Sequence, residues 1–123
     1  MGLLMAPNRY CIYLNRSSKC PTLNEQEAFL ISKVEQEELN IVEIYKEQSN
    51  SYIQFYRMME TIEKGKADSI LVYSEKIFPQ SIIAVGILLL AFSENFLALI
   101  KTYSTDYFHN PHHRKELSIQ ILR

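Results

Sequence analysis

The sequence alternates short runs of strand-forming residues with longer runs at helical spacing, and this order constrains the fold more than any other feature. Strands are predicted where β-branched and aromatic residues cluster, at Arg9 to Leu14, Ile41 to Tyr45, Ser69 to Tyr73 and Phe96 to Ile100, the last reaching Tyr103 at most. Strands that alternate with crossover helices form a parallel sheet covered on both faces. We therefore predict a single three-layer α/β domain over residues 1–123, with a mostly parallel sheet of about four strands.

Capping boxes predict the starts of the first two helices. Their residues are Thr22-x-x-Glu25 and Ser51-x-x-Gln54. In such a box the hydroxyl accepts a hydrogen bond from the first helical turn, and the second side chain accepts one from the capping residue. We expect the first helix to run from about Leu23 to Glu38. The second is expected to end at Gly65, because glycine readily adopts the left-handed conformation that closes a helix.

The third helix, expected from about Pro79 to Ser93, contains an unbroken apolar run of 11 residues from Ile82 to Phe92. A membrane-spanning helix needs about 20, so we expect no membrane partner. A helix that is apolar all round must bury both sides, so its second face is covered within the chain or by a partner chain. The residues His112 to Arg123 predict the first turns of a further, truncated helix.

Composition excludes several classes of protein. The formal net charge is −1, so the chain lacks the basic surplus of a free-standing DNA-binding domain. Its three glycines are too few for a dinucleotide-binding loop or a P-loop, and we expect no cofactor. Cys11 and Cys20 do not form a disulfide framework, which favours a cytoplasmic location. His109, His112 and His113 lie in a polar loop and are expected to be solvated, with no metal bound.

The loop from Asn15 to Pro21 is the first place to look for function, because functional residues of parallel sheets gather beyond the carboxyl ends of the strands. Arg16, Ser17 and Ser18 lie there, before the first capped helix. A hydroxyl beside backbone donors and a guanidinium could attack a phosphate or bind one. The same residues are also typical of a polar turn without chemistry, and the local sequence alone favours that simpler interpretation.

Several stretches along the chain match one known pattern. The first is Ile12 to Ser18, with the sequence Ile-Tyr-Leu-Asn-Arg-Ser-Ser, and Gln26 follows Ser17 by nine residues. Residues 55–72 are then predicted as a helix, a glycine, an aspartate and a strand in that order. Pro111 to Leu117 forms the predicted start of the last helix. In order and spacing these stretches resemble the catalytic domain of serine recombinases, the resolvase/invertase family. That family's first strand leads into Tyr-x-Arg-Val-Ser-Thr, with the serine as nucleophile. The resemblance implies a resolvase-like fold, a nucleophile-equivalent at Ser17, a site role for Gln26 and a C-terminal dimerisation helix.

The departures from the family concern its arginines, which neutralise the scissile phosphate. Asn15 stands at the first of them, and residues 75–79 (Glu-Lys-Ile-Phe-Pro) replace an Asp-Arg-Leu-x-Arg motif, with Lys76 for its first arginine. Residues 58–113 contain no arginine at all. A guanidinium grips two phosphate oxygens, whereas an ammonium group is one mobile charge. Each lost donor to a developing oxyanion costs about 3–4 kcal/mol. We therefore expect Ser17 to be inert.

These observations lead to one leading hypothesis and two alternatives. The leading hypothesis is a catalytically inactive recombinase-like domain, without the family's DNA-binding domain, that serves as a protein-interaction, dimerisation or regulatory module linked to DNA recombination. It would pair with itself or a related recombinase through the Ile82–Phe92 helix and the C-terminal helix, and contact DNA only weakly or indirectly. The alternative is an active recombinase with a phosphoserine–DNA intermediate at Ser17, where Arg16 and Lys76 replace the missing arginines. The second alternative is a small α/β domain that binds an anion or phosphate at Arg16, Ser17 and Ser18.

Overall fold

The computed structural model describes residues 7–103, and within them the predicted strand–helix order is confirmed. The strands are β1 (Arg9–Leu14), β2 (Asn40–Lys46), β3 (Ser69–Val72) and β4 (Leu99–Thr102). The helices are α1 (Leu23–Glu37), α2 (Ile53–Glu63) and α3 (Ile82–Ser93), and a 3₁₀ turn, Glu75–Ile77, follows β3. The four strands pair in parallel in the order β2-β1-β3-β4, which confirms the α/β fold class. The helix predicted from His112 to Arg123 lies outside the described residues.

The sheet is the middle of three layers. On one face, Leu30 of α1 packs in a core with Ile12 of β1. On the other face, Phe55 of α2 and Leu88 of α3 pack in a second core with Tyr13 of β1. Successive side chains of a strand lie on opposite faces, so the central strand β1 supplies both cores, and its residues Tyr10–Leu14 are all buried.

Parallel pairing brings the carboxyl ends of β1 and β2 together. Leu14 is in register with Lys46, and the Glu47 N–H donates to the Leu14 carbonyl at 3.0 Å. Asn15 directly follows β1 and Glu47 directly follows β2, and both are buried at this edge. The loop that carries Ser17 therefore starts from a closed, well-packed strand end.

The first predicted capping box is confirmed. The Glu25 N–H donates to Thr22 Oγ1 at 3.2 Å, and the Thr22 N–H donates to Glu25 Oε1 at 2.9 Å. The predicted end of α2 is also confirmed, because Gly65 has φ 78° and its N–H donates to the Ile62 carbonyl. Helix α1 ends one residue before the prediction, since Glu38 is itself left-handed with φ 55°.

The second predicted capping box, Ser51-x-x-Gln54, is wrong. Ser51 Oγ accepts from the Ile53 N–H, and no side chain of the residue preceding α2 caps the helix. Instead, the carboxylate of Glu47 accepts from the N–H groups of Gln54 and Phe55, at 3.1 and 2.8 Å. A local four-residue pattern cannot reveal this cap, because its acceptor comes from the end of β2.

Strand β4 begins three residues later than the predicted start at Phe96. The N–H groups of Phe96 and Leu97 both donate to the Ala91 carbonyl, at 2.9 and 3.0 Å, and Asn95 is left-handed with φ 65°. This is the hydrogen-bond pattern of a helix C-terminus. The backbone N–H groups of these two residues, whose side chains favour a strand, therefore close α3.

Helix α3 starts at Ile82, after the capping residue Ser81, rather than at the predicted Pro79. Only its sheet-facing side is buried, at Ala84, Leu88 and Ala91. The opposite side stays exposed, with exposed fractions of 91% at Ile82, 70% at Ile83 and 59% at Leu90. The described residues therefore do not cover both sides of this apolar helix. None of the helices within residues 7–103 combines the length and apolarity that crossing a membrane requires.

Candidate functional site

The loop after β1 and the end of β2 enclose an open cleft at the carboxyl edge of the sheet, with a volume of about 760 Å³. We call it the serine cleft, and its polar lining includes Arg16, Ser17, Ser18, Thr22, Lys46 and Asn50. Two of the four predicted site residues, Arg16 and Ser17, thus line one cleft. Gln26 and Lys76 are not among the residues that line it.

Ser17 is half-buried, and its atoms help to hold the turn of the loop. The Cys20 N–H donates to the Ser17 carbonyl at 3.1 Å, and the Lys19 N–H donates to Ser17 Oγ at 3.3 Å. Within residues 7–103, no imidazole or carboxylate is hydrogen-bonded to this hydroxyl. A serine nucleophile needs a neighbouring base or a comparable activating group, and the described surroundings of Ser17 supply none.

Gln26 is fully buried beneath the loop. Its Nε2 donates to the carbonyls of Asn15 and Pro21, both at 2.9 Å, which ties the two ends of the serine loop to α1. Its Oε1 has no hydrogen-bond partner among the described residues. The geometry makes Gln26 a residue that positions the loop, since both of its hydrogen bonds go to loop backbone.

Asn15, the first residue after β1, is part of the core. Its Nδ2 lies 3.3 Å from both Tyr13 Oη and the Ile77 carbonyl, and its Oδ1 accepts from the Arg16 N–H at 2.8 Å. These contacts join the end of β1 to the 3₁₀ turn after β3. The side chain is therefore committed to internal hydrogen bonds rather than to a ligand in the cleft.

Glu47 is a buried carboxylate that sequence reasoning missed. Tyr13 Oη donates to its Oε2 at 2.7 Å, and the carboxylate also caps α2 through the Gln54 and Phe55 N–H groups. Burial, and then the Glu47 carboxylate, raise the pKa of Tyr13 far above its ordinary value of 10.0. We call Tyr13, Asn15 and Glu47 the buried polar cluster. An acidic residue directly after a strand of a parallel sheet was the one signal that could have indicated it.

Two cationic side chains among the described residues line the serine cleft, those of Arg16 and Lys46. Lys46 forms an ion pair with Glu27 at 2.6 Å. Lys76 lies in the 3₁₀ turn after β3, outside the cleft. Arg9 lies at the opposite, amino edge of the sheet, where it pairs with Asp68 at 3.3 Å. Arg16 is therefore the one guanidinium of residues 7–103 that lines the cleft.

The carboxylate of Glu25 lies in the first turn of α1, next to the serine loop. Hydrogen bonds from the backbone and side chain of Thr22 lower the pKa of Glu25, whose carboxylate accepts both. An incoming anion at this helix end would meet the like charge of Glu25.

No group of three or more metal-ligating side chains occurs within residues 7–103. The three histidines of the sequence, His109, His112 and His113, lie outside this range. Within residues 7–103, Cys11 and Cys20 form no disulfide, and burial raises the pKa of Cys11 to about 12. Among the described residues, the lining of the serine cleft therefore offers hydroxyls, amides, one guanidinium and the ammonium group of Lys46.

Comparison of the sequence with family models and with curated proteins gives no match. Solved structures do match. The N-terminal catalytic domain of TP901-1 integrase has a TM-score of 0.64 at 20% identity, covering 93% of this chain and 90% of that one. The C-terminal catalytic domain of ISC1926 TnpA, an IS607-like serine recombinase, has a TM-score of 0.62 at 16% identity, with coverages of 92% and 78%.

A resolvase family site-specific recombinase from Streptococcus pneumoniae matches with a TM-score of 0.67 at 20% identity, covering 94% of this chain and 83% of that one. Identities this low establish a fold and leave chemistry to be argued from the site. The expected resolvase-like fold is thus confirmed. This chain has the fold of serine recombinase catalytic domains over most of its length.

Proposed function

We propose that this protein is a recombinase-like domain that has lost strand-transfer chemistry and acts by associating with a second copy of itself or with a related recombinase. Asn15 is the observation that carries the loss of chemistry. Where the resemblance places a phosphate-binding arginine, this amide is buried and hydrogen-bonded to Tyr13 and to the Ile77 carbonyl. A position that belongs to the core cannot grip a phosphodiester in the cleft.

The magnitude of the loss supports inactivity. Arg16 is the one described guanidinium in the serine cleft, and Lys76 lies outside it. Removing one preorganised donor to a developing oxyanion slows a reaction by roughly 10²–10³-fold. Two such losses would slow strand cleavage by about 10⁴-fold or more, even if they are partly non-additive.

The exposed side of α3 supports association. Ile82, Ile83 and Leu90 are large aliphatic side chains on one helix, each more exposed than buried within the described structure. Contiguous exposed apolar surface on a globular domain usually marks a protein interface. A self-complementary patch on one helix suits a two-fold dimer, in which both copies use the same surface.

The loss of chemistry is tested by mixing the protein with supercoiled plasmid and stopping the reaction with sodium dodecyl sulfate. We expect no covalent DNA–protein adduct, and no difference between the wild-type protein and Ser17→Ala. A gel shift at low salt on the same plasmid serves as the binding control. An adduct that is lost in Ser17→Ala and retained in Ser18→Ala would show that the protein is an active serine recombinase.

Association is tested by sedimentation equilibrium over a wide concentration range. We expect a concentration-dependent dimer that Ile83→Asp weakens, because a charge would enter an apolar interface. Val42→Asp is the matched control, since Val42 is an exposed aliphatic residue on β2, away from α3. A strict monomer at high protein concentration would contradict self-association.

A second candidate function, anion binding, is favoured by the lining of the serine cleft. Arg16, two serine hydroxyls and the Asn50 amide face one open volume. NMR titration with inorganic phosphate should then shift the amide signals of residues 16–18, and Arg16→Ala should abolish the shifts. Equal shifts in Arg16→Ala, or none in the wild-type protein, would exclude this function.

A further inference from the structure

An apolar groove lies on the α2–α3 face, between the C-terminal halves of these helices. Its volume is about 510 Å³, and its apolar lining includes Met59 of α2 with Ile87, Leu90 and Ala91 of α3. Leu90 is 59% exposed, so much of this aliphatic side chain contacts no other described residue. Both helices end at the amino edge of the sheet, and the groove is therefore remote from the serine cleft at the carboxyl edge.

The rim of the apolar groove is acidic. Glu60, Glu63 and Glu94 line it, all three are exposed, and none of them forms an ion pair within residues 7–103. Among the described residues no basic side chain lines the groove, although three occur on α2 or in the turn after it, at Arg57, Lys64 and Lys66. The negative charge of the rim is thus left without a partner inside the groove.

Two of these carboxylates stand where a helix tolerates negative charge least. Glu63 is the last residue of α2, Glu94 is the capping residue after α3, and neither helix has a basic residue in its last turn. The C-terminus of a helix carries a partial negative charge, so an acidic side chain there is unfavourable. At the corresponding end of α1, Lys101 neutralises Glu37 in an ion pair. Charge left unneutralised at the groove is expected of a binding surface, where stability is given up for function.

The groove selects the chemistry of its occupant. Aliphatic side chains would be buried against its apolar lining, while cationic side chains would meet the carboxylates and the negative ends of both helices. The backbone groups of α2 and α3 are largely paired within the helices, so the groove offers no free edge to an extended segment. A helix satisfies its own backbone and presents only side chains, as amphipathic helices do in apolar grooves. DNA does not fit, because the rim would repel its phosphates.

The same charges argue against a second copy of this face. A two-fold contact over the groove would place the three carboxylates of one copy against the same three of the other, and like charges juxtaposed at an interface repel. We propose that the groove binds a basic amphipathic helix of a different protein, with leucine-type side chains on its inner face and lysine or arginine on its flanks. This inference goes beyond the proposed self-association and does not depend on it.

A synthetic peptide tests the proposal on the full chain. The probe contains leucine and lysine alone, with the leucines on one face of a helix, and its dissociation constant is measured by fluorescence anisotropy at about 0.15 M salt, where distant charges are screened. The control peptide has glutamate in place of every lysine. We expect saturable binding of the basic peptide, and binding of the acidic peptide that is weaker by about tenfold or more.

Charge reversal at the groove separates a lost contact from a damaged fold. Glu63→Lys/Glu94→Lys should raise the dissociation constant of the basic peptide about tenfold or more. The same variant should melt at an equal or higher temperature than the wild-type protein, because lysine suits a helix C-terminus. Glu35→Lys/Glu38→Lys makes the same charge change at the exposed end of α1 and should alter the constant by less than about twofold.

The remaining outcomes identify other occupants or none. Binding of the basic peptide that is more than about twofold tighter in Arg114→Ala/Lys115→Ala would show that the basic residues 112–123 of this chain already compete for the groove, and would overturn the proposal. Equal effects of the groove and control variants, or no saturable binding, would overturn it as well. Sedimentation of the protein without peptide measures self-association separately, so the two proposals can fail independently.

Discussion

Two polar regions lie side by side at the carboxyl edge of the sheet and differ in what their side chains contact. In the buried polar cluster, Tyr13, Asn15 and Glu47 hydrogen-bond to one another or to backbone, shielded from water. In the serine cleft, Arg16 is exposed and Ser17 is half-buried. One residue separates Asn15 from Ser17, so the same loop supplies both regions. Neighbouring residues of one loop can therefore belong either to the packed core or to an open cleft.

This contrast predicts where substitutions cost stability and where they do not. Buried polar groups are expensive to leave unpaired, whereas exposed ones exchange their partners for water. If the buried polar cluster and the serine cleft responded alike to substitution, the distinction between them would be lost.

The largest effect is expected for Glu47→Ala. This change leaves the Tyr13 hydroxyl and the N–H groups of Gln54 and Phe55 without their acceptor, in a site from which water is excluded. The free energy of unfolding should fall by roughly 3–5 kcal/mol, measured by urea denaturation. Glu43→Ala, which removes an exposed carboxylate from the same strand, should change it by less than about 0.5 kcal/mol. Equal losses in the two variants would show that the Glu47 carboxylate is not a required hydrogen-bond acceptor.

Asn15→Ala and Arg16→Ala form the next test, since neighbouring residues belong to different regions. Asn15→Ala removes the acceptor of the Arg16 N–H and the link to the Ile77 carbonyl, which should cost about 1–2 kcal/mol of unfolding free energy. Arg16→Ala should cost less than about 0.5 kcal/mol, because its side chain is exposed. A greater loss of unfolding free energy in Arg16→Ala than in Asn15→Ala would mean that the Arg16 guanidinium stabilises the fold.

Gln26→Ala tests the residue that ties the serine loop to α1, between the buried polar cluster and the serine cleft. The two carbonyls of Asn15 and Pro21 lose their donor, so the serine loop should exchange its amide hydrogens faster, with a stability loss of about 1 kcal/mol. Gln36→Ala, on the exposed side of α1, is the matched control. Unchanged hydrogen exchange at residues 16–20 would mean that Gln26 does not position the loop.

A last effect is absent at neutral pH and appears only in alkaline solution, where the stability depends on the Tyr13 hydroxyl. Burial raises the pKa of Tyr13 in the folded state, so above pH 10.0 the unfolded chain releases this proton while the folded chain keeps it. The unfolded state then binds fewer protons, and stability falls as pH rises, by at most about 1.4 kcal/mol per pH unit for this group. Tyr13→Phe should flatten the stability curve above pH 10.0, measured by chemical denaturation at several pH values. An unchanged slope would indicate that the Tyr13 hydroxyl is not shielded.

The sequence predicted the architecture well, because strand and helix periodicity are local and strong. Strand β1 runs from Arg9 to Leu14, as expected, and the Thr22 capping box and the helix end at Gly65 are present. What failed were features that depend on distant partners. Glu47 caps α2 from the end of another strand, and Phe96 closes α3 rather than opening β4.

The sequence predicted Arg16, Ser17, Gln26 and Lys76 as site residues, and the structure places the first two on the lining of the serine cleft. The sequence could not show that Asn15 is bonded into the core, because that depends on the carbonyl of Ile77, 62 residues away. Nor could it show that Gln26 contacts loop backbone, or that Lys76 stays outside the cleft. These contacts depend on how separate segments pack at the carboxyl edge of the sheet. The spacing of apolar residues along the sequence does not reveal that packing.

The proposed loss of chemistry depends on the absence of a set of guanidinium groups around Ser17, and a crystal structure of the protein soaked with tungstate tests this. The measurement is the number of arginine side chains within hydrogen-bonding distance, about 3 Å, of an anion beside the Ser17 hydroxyl. We expect Arg16 at most. Two or more guanidinium groups on that anion, whether from the same chain or from its partner, would contradict it.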